Sequence, residues 1–470
     1  MKIEQIYTSC LAEAAYYIES NGEAAIIDPL REIGPYLERL SANKTKLKYV
    51  FETHFHADFV SGHLDLAKKT GAAIVFGPTA SPNYKAHVAS DNEVLKLGKI
   101  EIKVLHTPGH TLESSTYLLI DEEGNEHAIF SGDTLFIGDV GRPDLAVKSD
   151  LTREDLAGLL FDSLRNKIMP LPDKVIVYPG HGAGSACGKK MSDQTSSTLG
   201  EQKLFNYALR ADMTREEFIK EVTTGLVSPP QYFPKNAVIN RTGYEEIEKV
   251  MERGVVPLDP REFEDVVQRN KAIIIDTRDQ DEFKAGFIPN SIFIGLDGRF
   301  ASWVGTLIPD LEQPIVFVTD EGNEEEVVTR LARVGYDNAL GYLKGGFKVW
   351  VDDGREIDAI RQMSEKEFAS LYSSDVYLNI LDVRKEIEFS AEHVIKAGNT
   401  PLDFINSEMK KLAMDRDYYV YCETGYRSVT FISILQSRGY RNLIDVSGGI
   451  LRLRDTAIPI TEFVESSTML

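Results

Sequence analysis

In "ETHFHADFVSGH", Glu52 to His63, two imidazoles and a carboxylate fall at alternate positions, His54, His56 and Asp58, directly after an apolar run. Three more groups of the same kind end other apolar runs: His110 in "TPGHT", Asp133 in "SGD" and His181 in "YPGHG". Imidazole and carboxylate are the donors that hold zinc, iron or manganese. Unrelated surface loops would not place so many of them at strand ends. Where a site built for two metals needs a further histidine, after Asp58, the chain has Phe59. That leaves either a defunct site or one metal doing different chemistry.

To meet, residues so distant along the chain must be carried by a sheet. Between Ala24 and Gly180, runs such as "AAIIDP", "KYVFETHFH", "IEIKVLHTPGH", "AIFSGD" and "KVIVYPGHG" have strand length and β-branched content. "GHLDLAKKT" and "REDLAGLLFDSLRNKIM" have helical spacing instead. The pattern is α/β, and it predicts that His54, His110, Asp133 and His181 gather at one sheet edge. Glycines in "TPGHT" and "SGDTLF" let backbone approach that site closely.

At 470 residues the chain is long enough for two to four domains at roughly 100–200 residues each, and three is the expectation. Prolines break the pattern in "TTGLVSPPQYFPKNAVINRTG", and "RGVVPLDPREFEDVV" opens a new unit, so a boundary is expected between Asn240 and Leu258. Beyond it the chain repeats itself. "AIIIDTRDQDEFKAGFIPNSIFI" matches "YLNILDVRKEIEFSAEHVIKAGNTPL", and "PIVFVTDEGNEEEVVTRLARVGYDNALGYLKGGFKVW" matches "YYVYCETGYRSVTFISILQSRGYRNLIDVSGGILRL". Two related modules follow the first domain.

Composition narrows the partners. Hydrophobic content of 43% and charged content of 27% describe a globular chain with a sizeable core. A net charge of -21 repels phosphate backbones and anionic membrane surfaces, so neither nucleic acid nor a membrane is an expected partner. An anionic substrate would need local cationic help. The first residues lack a basic region followed by an apolar core, and no stretch reaches the ~18 apolar residues of a membrane span, so the expected location is cytoplasmic. Cys10, Cys187 and Cys422 are too scattered for a disulfide framework and are expected as free thiols.

The run of "THFHAD", "TPGHT", "SGD" and "YPGHG" resembles the metallo-β-lactamase fold superfamily, which implies an αββα sandwich over residues 1–245. Members with two metals hold the second at the Asp58 position, the next residue, a bridging aspartate and the last histidine; Phe59 removes one of these ligands. The superfamily's persulfide dioxygenases use one iron on two histidines and an aspartate, which by motif are His54, His110 and Asp133. This resemblance implies one Fe(II) per chain, open to O2 and a persulfide, with His56, Asp58 and His181 orienting ligands or bound water. "GDVGRPDL" resembles a segment of the same enzymes, and Arg142 there has two readings, a cation for the anionic persulfide or an ion pair with Asp144. Cys187, in the glycine-rich "PGHGAGSACGKKM", likewise reads as a small buried hydrophobe or as a thiol that carries sulfur.

The repeat resembles rhodanese, a sulfurtransferase module of α/β class with a central, mainly parallel sheet. In the copy spanning 364–465, Cys422 of "CETGYR" would be the nucleophile, in a loop whose backbone N–H groups point inward, and Arg427 would add charge for an incoming oxyanion. Asp382 and Arg384 read as structural. In the copy spanning 258–354, Asp320 stands at the cysteine position and Glu324 to Glu326 replace the cationic side, which implies a module without sulfur-transfer activity. Together these resemblances imply a sulfide-detoxifying enzyme that oxidises persulfide sulfur to sulfite with O2 and makes or uses thiosulfate. Two other readings stay open: a zinc thioester hydrolase of the glyoxalase II kind, and a sulfur-relay or binding protein without oxygenase activity. The thiol of the persulfide, the direction of the transfer step and any homo-oligomer are not legible.

Overall fold

The computed structural model describes residues 1–145, 151–374 and 377–464, and the chain divides near Glu248 into two compact units. In the first unit, strict alternation along the strands decides the layers. Ala14, Tyr16 and Ile18 of strand Glu13–Ser20 point to one core, while Ala15 and Tyr17 point to another. A strand apolar on both faces must be covered on both.

Two six-stranded sheets result. The first runs in the order Lys2–Thr8, Glu13–Ser20, Glu23–Ile27, Lys46–Glu52, Ala73–Phe76, His87–Val88. The second runs Ser197–Thr198, Ile176–Pro179, Glu126–Gly132, Ser115–Ile120, Ile100–His106, Val94–Leu97. Tyr16, Ile27, Phe51 and Val75 of the first sheet pack on Val104, Tyr117 and Phe130 of the second. Outside them, the helices Gly34–Asn43 and His63–Thr70 cover the first sheet with Tyr36, Leu40 and Leu66, and Arg153–Ser163 covers the second with Ala157 and Leu160. This is the αββα sandwich.

One expectation needs correction. His110, Asp133 and His181 follow strands of the second sheet, but His54 follows Lys46–Glu52 of the first. Stacked sheets lie ~10 Å apart, so loops from both can meet where the sheet ends adjoin, and no single sheet edge carries the group.

The expected boundary between Asn240 and Leu258 is crossed by the helices Phe233–Thr242 and Ile247–Gly254, not by an open linker. In the second unit Asp259 caps the helix Pro260–Asn270, its carboxylate accepting from the N–H groups of Arg261 and Glu262, while the Glu262 carboxylate accepts from the Asp259 N–H. With Pro260 at the first helical position, this is a strong local start signal. Two five-stranded sheets follow with one topology: Pro257–Leu258, Ala339–Leu343, Ile315–Val318, Ile273–Asp276, Ile292–Phe293, then Gln362–Met363, Leu443–Val446, Tyr418–Tyr421, Asn379–Asp382, Gly398–Asn399. All their pairings are parallel. Both copies therefore keep the rhodanese-like architecture, and the predicted end of the second at residue 465 lies just outside the described residues. Cys10, Cys187 and Cys422 are free thiols. Among the described residues, no helix is long and apolar enough to cross a membrane.

Candidate metal centre and sulfur-transfer loop

Asp28, at the end of strand Glu23–Ile27, starts the construction. Its carboxylate accepts from the Thr53 N–H at 2.7 Å and from the Thr53 hydroxyl at 2.8 Å. A hydroxyl donating to Asp28 can only accept from its other neighbour, the Nδ1 of His54 at 3.0 Å. That leaves the Nε2 lone pair of His54 facing the site. His110 is set the same way: Nδ1 donates to the carbonyl of Arg142 at 2.9 Å, so Nε2 carries a lone pair, 3.3 Å from Asp133 Oδ2. Asp133 Oδ1 accepts from His181 Nδ1 at 2.8 Å, while its Oδ2 is buried without a hydrogen-bond partner.

Ligand atoms of His54, His110 and Asp133 thus lie within 4.8 Å of one another, all three residues buried. Lone pairs crowded together away from water need a cation between them, and the donor set fits a metal ion. The electrostatics agree. Burial alone would raise the Asp133 carboxyl, yet the imidazoles of His181, His110 and His54 hold it well below its usual range. Burial, and then His56, pushes His54 well down, towards the neutral form that ligates.

His56 is turned elsewhere. Its Nε2 lies 3.0 Å from Asp28 Oδ1 and 3.5 Å from Glu52 Oε2, and its ring stacks on Phe59 at 4.2 Å between centroids. Asp58 meets the other face of His181, whose Nε2 is 2.7 Å from Asp58 Oδ2. Burial works against the charged ring, but Asp133 and Asp58 on either side hold His181 well above the usual histidine range. Cys187 completes a separate group with Asp58 and His181, again within 4.8 Å, and its thiol is pushed well up by burial and by both carboxylates. Arg142 takes the ion-pair option: its guanidinium forks onto Asp144 at 2.6 and 2.8 Å and also donates to the carbonyls of Ala186 and Val227. What Arg142 offers the site is its carbonyl, under His110.

Three contributors had no clear signal in the sequence. Asp28 and Thr53 lie at strand ends, where a polar residue is unremarkable. Asn240, in a helix across the expected boundary, donates to the carbonyls of His56 and Phe59 at 2.8 and 2.7 Å and accepts from the Ser61 N–H at 2.9 Å, clamping the ligand loop. Gly132 shows how tight the packing is: its φ is +49°, and a Cβ there would stand 2.5 Å from Thr53 Oγ1. We expect Gly132→Ala to destabilise the fold by about 1–3 kcal/mol, read as a lower urea midpoint, and to loosen metal retention through Thr53 and His54.

In the second unit, Cys422 follows strand Tyr418–Tyr421 and is buried; the Gly425 N–H points at its Sγ, 3.1 Å away. That is the one N–H hydrogen bond to the sulfur among the described residues. Arg427 was expected to await an oxyanion, but it forks onto Glu388 at 2.6 and 2.8 Å and reaches Glu423 at 3.5 Å. Asp382 and Arg384 are structural: the guanidinium grips the carboxylate and the Glu392 carbonyl, just as Arg278 grips Asp276 and the Gly286 carbonyl. In the first copy the sheet register corrects the expected alignment by one residue: Val318 pairs with Asp276 as Tyr421 pairs with Asp382, so the buried Thr319 stands at the Cys422 position and the exposed Asp320 at that of Glu423, while Glu324, Glu325 and Glu326 form the first turn of the next helix.

Residues 9–181 match the metallo-beta-lactamase superfamily, and residues 259–353 and 364–455 each match the rhodanese-like domain. A probable hydroxyacylglutathione hydrolase of Schizosaccharomyces pombe is 34% identical over 166 residues, 35% of this chain, which spans 60% of that relative's length. A hydroxyacylglutathione hydrolase of Rhodopseudomonas palustris is 30% identical over 237 residues, 43% of this chain and 86% of that one. Among solved structures, a metallo-beta-lactamase from Staphylococcus aureus is 31% identical with a TM-score of 0.64, over 73% of this chain and 98% of that chain.

Proposed function

From the premise that this chain belongs to the metallo-β-lactamase superfamily and carries two rhodanese-like domains, we propose that it is a cytoplasmic persulfide dioxygenase coupled to sulfur transfer. The observation that carries this reading is the diversion of His56 to Asp28 and Glu52, stacked on Phe59, which leaves His54, His110 and Asp133 as a separate three-donor face. Two histidines and one carboxylate suit Fe(II) with open positions. Iron bound there would supply the redox chemistry by which a persulfide RSSH, O2 and water become RSH, sulfite and two protons.

The chain's own residues do the rest. Thr53 and the Arg142 carbonyl fix the two imidazoles by their Nδ1 atoms, so neither ring can turn its lone pair away. His181 holds a proton between Asp133 and Asp58, and the unpartnered Oδ1 of Asp58 can accept a proton from the substrate side. The burial of His54, His110 and Asp133 keeps bulk water away from the reacting sulfur. In the second unit, the thiolate of Cys422 would take the sulfane sulfur of thiosulfate and release sulfite, or run in reverse.

A second reading has its own support. The relatives from Schizosaccharomyces pombe and Rhodopseudomonas palustris are named as hydroxyacylglutathione hydrolases, the first as a probable one, and Asp58, His181 and Cys187 form a further group able to hold a metal, with the thiol standing in for the histidine absent at Phe59. Two zinc ions and thioester hydrolysis would follow. Metal content separates the two. We expect about one iron per chain and O2 uptake with glutathione persulfide; two tightly held zincs with thioesterase turnover and no O2 uptake would reverse the order of the readings.

A further inference from the structure

The cysteine-free copy has no nucleophile, yet it lies against the loop that has one. The helix Tyr426–Ser437 leaves the Cys422 loop and meets the edge strand Ile292–Phe293 of the other copy. Phe293 N–H donates to Ser433 Oγ at 2.9 Å, the Tyr426 hydroxyl donates to the Gly295 carbonyl at 3.4 Å, and the Phe293 and Tyr426 rings stand 5.2 Å apart, edge to face.

Two side chains of the helix Gln280–Ala285 go further. Gln280 is half-buried, with its Nε2 3.7 Å from where a Cβ on Gly425 would stand, beside the residue whose N–H points at the Cys422 sulfur. Among the described residues none hydrogen-bonds the Gln280 side-chain amide. Lys284 is buried; its Nζ lies 2.7 Å from Asp281 Oδ1 and 3.9 Å from Asp445 Oδ2, a buried oxygen without a hydrogen-bond partner. Asp445 Oδ1 is 2.6 Å from Ser428 Oγ, which is 2.9 Å from the Gly425 carbonyl. A chain of contacts thus joins Lys284 to the turn that faces the sulfur.

The repeat shows that the fold itself does not demand these two residues. Asp276, Arg278, Glu282 and Phe283 recur as Asp382, Arg384, Glu388 and Phe389, but Gln280 and Lys284 correspond to Glu386 and Ser390. The copies differ at the two positions that, in the first, face the other's loop. There is also a need for them. Within its own module the charge of Arg427 is matched by Glu388 and Glu423, so the guanidinium offers a dianion little net charge.

We infer that the cysteine-free module is a working half of the sulfur-transfer site: Gln280 donates its amide to the oxygens of a thiosulfate-class substrate, and Lys284 positions the Cys422 turn through Asp445 and Ser428. The inference rests on Cys422 being the transfer nucleophile. In the step it serves, the thiolate attacks the outer sulfur of thiosulfate, the S–S bond breaks, and sulfite leaves with the bonding pair. The enzyme persulfide then gives its sulfur to cyanide as thiocyanate and regains the thiolate, with no external oxidant or reductant.

The test uses the full chain in a thiosulfate-to-cyanide assay. Gln280→Ala should raise the KM for thiosulfate about 10- to 100-fold, the worth of one hydrogen bond to a charged acceptor, without moving the KM for cyanide. Gln280→Glu, the residue of the second copy, should raise it further by repelling the dianion. Lys284→Met should lower kcat and slow iodoacetamide labelling of Cys422, mapped by mass spectrometry, and Lys284→Arg should restore both. If the Gln280 variants keep the wild-type KM while Cys422→Ser abolishes transfer, the inference fails alone. If Cys422→Ser itself keeps transferring sulfur, the reading of Cys422 fails and takes the inference with it.

Discussion

Asp133→Ala should strip the protein of its metal and of its O2 uptake together. Asp133 supplies the carboxylate of the three-donor face, so its loss leaves two neutral imidazoles, too few and uncharged, to hold a hard divalent cation. The damage does not stop there. His181 loses the partner at its Nδ1 and becomes a buried cation compensated by Asp58 alone, which costs about 3–5 kcal/mol if the proton stays and turns the ring if it leaves. Iron measured by elemental analysis should fall from about one per chain to a small fraction, and uptake at an oxygen electrode should fall by on the order of 10³-fold. Asp133→Asn, which keeps the shape and loses the charge, should behave nearly as badly. Retained iron with normal turnover in either variant would mean that the ligand lies elsewhere. Thiosulfate-to-cyanide transfer should survive both, because Cys422 belongs to the other unit.

The converse variant, Cys422→Ser, should keep its iron and its O2 uptake and lose sulfur transfer by on the order of 10³-fold or more. Serine is close to cysteine in volume, so the loop at Gly425 has little cause to move, but its hydroxyl stays protonated near neutral pH and cannot take a sulfane sulfur. Given one persulfide substrate, the wild type should yield thiosulfate and the variant sulfite, resolved by chromatography of the products. The same variant reports on the first copy. With Thr319 where the thiol would be, a hydroxyl that stays protonated near neutral pH, and three glutamates in place of the cationic side, that module should contribute no residual transfer. Identical thiosulfate from both proteins would move attention to Cys187, although burial and two nearby carboxylates hold that thiol protonated and make it a poor nucleophile.

Much of the fold was legible because it rests on local properties. Alternation in "EAAYYIES" or "IEIKVLH" states which residues share a face, and "LDPREFEDVV" carries a helix start in Asp259, Pro260 and Glu262. The repeat was visible in matched landmarks such as Asp276 and Asp382, and the loss of the cysteine in the first copy was legible too, but its position was read one residue too far, at Asp320, because only the sheet register fixes Thr319 opposite Cys422. The helix Phe233–Thr242 was missed because prolines precede it and its apolar spacing is weak, and Ile247–Gly254, although Ile247, Val250 and Met251 share one face, is only 8 residues long.

What the sequence determined by itself was the inventory: which residue types exist to ligate, attack or carry charge, and which strand end bears each. The tertiary structure alone decided how they combine. It sorted nine buried donors into three groups of three, one of them His56 with Asp28 and Glu52, spent Arg142 on Asp144 and Arg427 on Glu388, and set Gln280 beside a loop more than a hundred residues away. The reason is one of range. Periodicity and turn chemistry act between near neighbours in the chain, whereas hydrogen bonds and ligand contacts act over a few ångströms, so a side chain's partner is known only when the fold has chosen who stands next to it.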